Sequence, residues 1–285
     1  MKKLLFILPL LLGVIWQSCT EINDVVAAGD KPIIEAYLAP NSIVKMKVFS
    51  EIPYYENDSS FSQPIVGLSI LITGDDGTSF PLQEVSNGYY ESIEKLGSAN
   101  TVYSMSFMHN GRTVSASTTI PPSPVDFAVD NLEIERLARD LSGGFIGGPP
   151  GGGGGFNQES QTPITITWSN PDNVYHFVAA QYLESTLDPI IVFPTNTEGF
   201  IRPPRQFNNE PIQGTANNLR PQQFEYFGTY AIILYRLNPD YALLYENGGT
   251  TSQNISTPVS TITNGLGIFT GVNADTLYLE IKRQL

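Results

Sequence analysis

From Lys31 onward, apolar and polar residues alternate with a period of two, the pattern of strands buried on one face. Ile33, Ile34, Tyr37 and Leu38 form a first apolar run closed by Pro40, and Val44, Met46 and Val48 then alternate with Lys45, Lys47 and Phe49. Val66, Leu68, Ile70 and Ile72 alternate with smaller residues and run into Gly74-Asp75-Asp76-Gly77. Asp-Gly after an alternating run signals a hairpin, because the central positions of a type I′ turn need positive φ. The same signal stands at Asn87-Gly88, ahead of Tyr89-Tyr90, and at Asn110-Gly111, between the runs 102–108 and 113–117. Short strands with turns about every 8–12 residues predict an antiparallel sandwich. Pro121-Pro122-Ser123-Pro124 stiffens the chain and removes backbone donors, which places a boundary there and leaves 31–122 as a first module.

The remainder, 123–285, reads as a second β-rich module of less regular pattern. Leu132 and Ile134 with their charged neighbours fit a strand or a short helix. Strands resume at Ile164, Ile166 and Trp168, again over 174–182 and over 230–237, and the alternation from Thr276 to Ile281 closes a sheet. One short helix is predicted: Asn238 suits the N-cap, Pro239 the first helical position, Tyr241, Leu244 and Tyr245 one face, and Gly248-Gly249 the end. The stretch 143–155, rich in Gly with Pro149-Pro150 inside it, is a low-complexity loop with little apolar surface to offset its ordering. It lacks Lys, so it is no phosphate-binding loop.

Ahead of the strands stands a different pattern. Lys2 and Lys3 precede an apolar run from Leu4 to Trp16 and then Gln17-Ser18-Cys19, the layout of a secretory signal over 1–18. That run is too short to span a bilayer, which takes about 20 residues. Cys19 is the single Cys of 285 residues and directly follows a small residue, where a bacterial lipoprotein carries its lipid. Two or more acyl chains on one residue, at about 0.8 kcal/mol per buried CH₂, make a stable anchor. Residues 19–30 then form a polar tether. Removing 1–18 takes two Lys and no acid, so a formal charge of −13 becomes −15. An excess of 28 acidic over 15 basic residues argues against nucleic acid as a partner. One Cys excludes an internal disulfide framework and Cys-rich zinc sites, and two His leave little for His-based metal or Ser-His chemistry.

Candidate chemistry in the body of the chain is sparse. Asp75-Asp76 occupies a turn that favours Asp for backbone reasons. His109 belongs to a hairpin tip, and His176 to a strand where a polar partner accounts for it better than a role as base. No Gly-x-Ser-x-Gly or His-Glu-x-x-His occurs, and no cofactor or catalytic residue is expected. The stretch 188–230 draws more notice. Phe193, Phe200, Phe207, Phe224, Tyr226 and Phe227 stand there with Arg202, Arg205 and Arg220, side-chain types enriched at interface hot spots. Two readings stay open: an exposed recognition surface, or an irregular excursion whose aromatics pack on the second module.

Several stretches in order resemble a known family. They are Cys19 after its signal, Lys31 to Leu38, Pro64 to Ile70 ahead of a Gly-Asp turn, Gly88-Tyr89-Tyr90, Tyr103 with Asn110-Gly111-Arg112, Pro258-Val259, and Asn264-Gly265-Leu266-Gly267-Ile268-Phe269. The family is that of the Bacteroidota lipoproteins called domain of unknown function 4249, often encoded beside TonB-dependent outer-membrane receptors. The resemblance implies an outer-membrane lipoprotein whose first module is an immunoglobulin-like or transthyretin-like sandwich. It also implies a non-enzymatic accessory or cap subunit of a TonB-dependent β-barrel transporter. An accessory role in a larger outer-membrane machine for export, insertion or gliding comes next, and a surface enzyme acting on glycans or peptides is more distant. Small and bulky residues alternate over Asn264 to Phe269, which assigns that motif to folding rather than to ligand binding.

Overall fold

A computed structural model describes residues 31–51, 62–140, 162–192, 203–241 and 260–284. The first strands are β1 (Pro32–Leu38), β2 (Ile43–Ser50), β3 (Leu71–Gly74), β4 (Ser79–Ser86), β5 (Tyr89–Lys95), β6 (Val102–His109) and β7 (Arg112–Thr119). Alternation does what period two predicts. Val44, Met46 and Val48 are buried on one face of β2, while Lys45 and Lys47 point out and pair with Glu91 and Glu35. The turn Asn110-Gly111 has φ of 47° and 74°, both positive as a type I′ hairpin demands.

The second part holds β8 (Val125–Val129), β9 (Glu133–Arg136), β10 (Arg139–Asp140), β11 (Ile164–Ser169), β12 (His176–Tyr182), β13 (Asp188–Pro189), β14 (Ile191–Val192), β15 (Phe207–Asn208), β16 (Ala216–Leu219), β17 (Tyr226–Leu237) and β18 (Leu266–Arg283). A short 3₁₀ turn covers Pro221–Gln223. The protein is mainly β, as its pattern predicts. The ambiguous stretch around Ile134 resolves to a strand, β9.

The two parts share one sheet, ordered β15-β12-β17-β18-β1-β2-β5-β4-β3-β6-β7. Its hinge element is β18, 18 residues long. The first third of β18 runs parallel to β1, with Ile33 opposite Leu266 and Leu38 opposite Gly271. The rest runs antiparallel to β17, from Val272 opposite Leu237 to Ile281 opposite Gly228. Beyond that, Glu280 to Arg283 pair in parallel with β9. One strand therefore serves two cores. Phe269 is fully buried with Ile34, Met46, Tyr90 and Tyr103 in the first, and Leu279 and Ile281 pack with Ile166, Trp168 and Ile232 in the second. In that second core β11, in a separate sheet ordered β16-β11-β8, faces β12, β17 and β18.

The first sandwich is closed by the same segment. Ser115 on β7 bridges Thr263 through backbone bonds of 2.8 and 3.2 Å, and the Gly271 amide donates to Thr118 Oγ1 at 2.9 Å. This corrects the boundary expected at 121–124. The prolines do end the run of local hairpins, but Ile262 and Phe269 complete the first core from the far end of the chain. The pattern over Val66 to Ile72 is also corrected. Only 71–74 is strand, because Ile65 is held to Val48 on β2 and Ile70 to Leu82 on β4, so 66–70 passes from beside β2 to beside β4. Val66 consequently stands 55% exposed.

The helix expected from Asn238 begins as read, with Pro239 to Tyr241 helical, and its later residues lie outside the described ones. Asn238 does not cap it in the expected way. Its Nδ2 instead donates to Thr118 Oγ1 (3.0 Å) and to the Thr119 carbonyl, tying this turn to the first module. Asp240 Oδ1 accepts from Thr270 Oγ1 and from the Tyr241 amide, both at 2.9 Å. Burial pushes the Asp240 carboxyl above its ordinary pKa, against the pull of these hydrogen bonds.

Candidate docking surface at the far end of β18

Register fixes two opposite ends. The chain enters β1 at Pro32, and β18 runs parallel to β1, so β18 leads away from the point of entry. At about 3.3 Å per residue, its 18 residues reach about 60 Å. At the far end lie β9, β13, the start of β17 and the tail of β18, since Arg136 pairs with Arg283 and Asp188 with Phe227. The stretch 188–230, singled out for its aromatics and arginines, contributes much of this end.

The aromatics are its interior. Phe224 is 2% exposed, Tyr226 5% and Phe227 6%, so of the two readings open for these three aromatics the structure shows the packed one. Tyr230 holds them: its ring meets Phe224 edge-on at 4.8 Å, and its hydroxyl donates to the Tyr226 carbonyl at 3.1 Å. Tyr182 packs against both Tyr226 and Tyr230 and its hydroxyl lies 2.9 Å from the Phe227 carbonyl. Burial raises the pKa of the Tyr182 and Tyr230 phenols, keeping both as neutral donors. Phe207 enters strand β15 opposite Ala180. Phe193, Phe200, Arg202 and Cys19 lie outside the described residues.

Arginine behaves differently here. The sequence has eight Arg, and Arg136, Arg139, Arg205, Arg220 and Arg283 all belong to this end. Arg136 is buried and donates to the Pro221 and Phe224 carbonyls (2.5 and 3.4 Å), fixing the 3₁₀ turn. Arg283 lies 4.6 Å over the Phe227 ring and donates to Asp188 at 3.0 Å. Arg205 is 68% exposed, with Glu225 only at 4.0 Å, and Arg220 is exposed beside the 3₁₀ turn. Around them Leu137, Leu183 and Val192 stand 47%, 46% and 40% exposed. Backbone bonds from Ile190 to Glu225, from Arg139 to Ile190 and from Leu183 to Thr229 hold these loops together. Sequence reading missed Arg139, Arg283 and the three aliphatics. Seven of the eight Arg follow residue 122, in the part read as the second module, and that was the available signal.

The remaining sequence candidates have structural roles. Asp76 Oδ1 accepts from the Thr78 amide and hydroxyl, bonds that lower its pKa, and Asp75 Oδ1 accepts from the Val102 amide. His109 lies beside Asn110 at the β6–β7 tip. His176 is buried against Trp168, its Nδ1 3.2 Å from the Val174 carbonyl, and burial with Arg236 nearby lowers its pKa. The polar partner expected for its ring is thus a backbone carbonyl two residues away. Among the described residues no group of three or more His, Cys, Asp or Glu is placed to hold a metal ion, and none of their helices is long and apolar enough to cross a membrane.

A family model described as "Domain of unknown function (DUF4249)" matches residues 20–277. The chain belongs to this family. No curated protein matches it. Among solved structures it is similar to a two fibronectin type-III domain segment from chicken tenascin, at 10% identity over 88% of this chain and 99% of that one, with a TM-score of 0.24. It is similar also to the BSP domain of a biofilm associated protein, at 9% identity over 88% of this chain and 29% of that one, with a TM-score of 0.22.

Proposed function

We propose that this DUF4249 protein is a non-enzymatic lipoprotein of a Bacteroidota outer membrane, anchored through Cys19, that serves as an accessory or cap subunit of a TonB-dependent transporter. The observation that carries this reading is the parallel register of β1 and β18. A tether of 12 residues, 19–30, would fix one end of the molecule to the bilayer and reach at most about 40 Å when extended. The opposite end, built on the tail of β18, would then be presented to a partner. Such an architecture holds and presents a surface. Family membership supports the reading, since the resemblance of the sequence to these lipoproteins implies the same anchor and the same kind of partner.

Two measurements test it. Metabolic labelling with an acyl-chain precursor should mark the wild-type protein and not Cys19→Ala, and the variant should leave the membrane fraction or remain uncleaved. Copurification of the wild-type lipoprotein from detergent-solubilised membranes should yield a stoichiometric β-barrel receptor. Recovery with an export or gliding complex would replace the transporter by that machine. Recovery with no outer-membrane protein at all refutes the accessory role.

A further inference from the structure

We infer that His176 is an acid-sensitive latch: its neutral ring closes the start of β12 against Trp168, and its protonation releases the segments 170–175 and 212–215 that enclose it. The latch is independent of the accessory-subunit reading. His176 opens β12 and is 1% exposed, and its ring centroid lies 5.6 Å from that of Trp168 on β11, itself 4% exposed. Its backbone exchanges bonds of 2.9 and 2.8 Å with Ile212. Asn170 ties the two segments together, donating to the Val174 and Gln213 carbonyls at 2.9 and 2.8 Å and accepting from the Val174 amide at 3.0 Å. His176 Nδ1 lies 3.2 Å from the Val174 carbonyl, which only accepts, so Nδ1 carries the proton and Nε2 is the bare nitrogen. Nε2 is buried and has no partner among the described residues. A second proton must go there, and no acceptor meets it. The polar atom of the neighbouring ring, Trp168 Nε1, is another buried donor without a partner. The charged groups at this place are Arg236, opposite His176 on β17, and Asp172, which that Arg236 holds at 2.8 Å. β11 and 212–215 bring no titratable side chain. The tilted Trp168 ring offers a cation a weak contact, small beside the cost of an unpaired buried charge. Burial, with a smaller push from Arg236, accordingly holds the His176 pKa below its ordinary value near 6.5, against the pull of the Val174 carbonyl. A histidine whose folded pKa lies below the unfolded one contributes its full stability above pH 6.5 and loses it as pH falls through the folded value. The release reaches the seam between the modules. The Tyr175 carbonyl accepts from the Leu237 amide at 2.9 Å, and Leu237 leads into the turn whose Asn238 holds Thr118 and whose Tyr241 stacks on Phe177 at 6.4 Å. Acid therefore slackens that seam from the side of the second core.

The test takes the full chain in detergent micelles and lowers the pH from about 7.5 to about 5, across the histidine range. Asp240→Asn serves as the background, because Asp240 titrates with the opposite sign. The chain has two His, so ring-labelled histidine gives two signals, His176 and the hairpin-tip His109 as internal reference. The His176 signal should titrate below 6.5, and the emission of Trp168, the one Trp after residue 18, should move to longer wavelength with the same midpoint. Amide exchange, corrected for its intrinsic pH dependence, should lose protection at 170–177 and 210–215 by up to about tenfold per pH unit, while 102–119 keeps its own. His176→Gln, uncharged at every pH, should abolish both changes. Should that variant fail to fold, the shared midpoint of the His176 signal and the Trp168 emission in the background protein decides the matter. A His176 signal that titrates no lower than His109, emission and protection that stay constant while His176 titrates, an equal loss over 102–119, or the same loss in His176→Gln would each overturn the latch.

Discussion

Gly267→Ala probes the seam between the modules. Gly267 has φ of 98°, and a Cβ there would lie 2.0 Å from the Ile34 carbonyl oxygen and 2.9 Å from the Ile34 nitrogen. The left-handed conformation itself costs an alanine about 1–2 kcal/mol. Relieving the contact requires β1 and β18 to part, which weakens two or so backbone hydrogen bonds at about 1 kcal/mol each and loosens packing around Phe269. The total is about 3–5 kcal/mol, a large fraction of the roughly 5–15 kcal/mol that holds a domain folded. Gly77→Ala is the matched control, because Gly77 has φ of 85° but nothing within 4 Å of an added Cβ. It should cost only the conformational part, about 1–2 kcal/mol. Urea unfolding of residues 20–285 reads the difference. The sequence has two Trp, and only Trp168 remains in that span, reporting from the second core. If β18 couples the modules, Gly267→Ala moves the Trp168 transition together with the far-ultraviolet signal. Equal costs for the two alanines, or a Trp168 transition that stays put, would refute the reasoning.

Phe269→Ala should cost about 3–5 kcal/mol by cavity formation, measured by the same unfolding, because the ring is fully buried. Asp240 should make stability fall with rising pH. Its folded pKa lies above the unfolded one, so its contribution is complete below the unfolded value near 4 and is lost as pH rises through the folded value. Asp240→Asn, which keeps an acceptor for Thr270 and the Tyr241 amide, should therefore be at least as stable as wild type at pH 7, with the advantage shrinking toward pH 4; a variant less stable at pH 7 would contradict this. A fragment ending at Pro122 should fail to fold, shown by absent tertiary circular dichroism and rapid proteolysis, and adding 260–271 as a separate peptide should restore some protection.

Local order was legible where partners are close in sequence. Asn110-Gly111 and Gly74 to Gly77 announced their turns, and Val44, Met46 and Val48 their buried face, because a period-two pattern and a turn dipeptide need no distant information. The parallel pair of β1 and β18 was not legible, since its partners stand more than 200 residues apart and nothing in either run names the other. The boundary at the prolines failed for the same reason. In the candidate site, composition left two readings open for the aromatics of 188–230. Phe224, Tyr226 and Phe227 are as apt for a core as for an interface, and only their packing on Tyr230 decides the matter. Arg205, by contrast, stands in solvent.

The motif Asn264 to Phe269 takes its meaning from this arrangement. Asn264 Nδ2 donates to the Thr113 carbonyl at 2.8 Å on one side, while Leu266 to Gly271 pair with β1 on the other. A strand wedged between β7 and β1 needs a residue without a side chain where backbones nearly touch, and bulky residues where the core must be filled. Gly267 and Phe269 meet these two demands two positions apart. The same strand then continues, without a break, to Lys282 and Arg283 at the arginine-bearing end. Damage to the motif should thus disturb the far end as well as the first core, even though no side chain of the motif approaches it. A protein with Gly267→Ala that remains folded yet loses its partner would be explained by this continuity and not by contact. Separating the two needs the stability of the first core restored independently, and partner recovery should return with it.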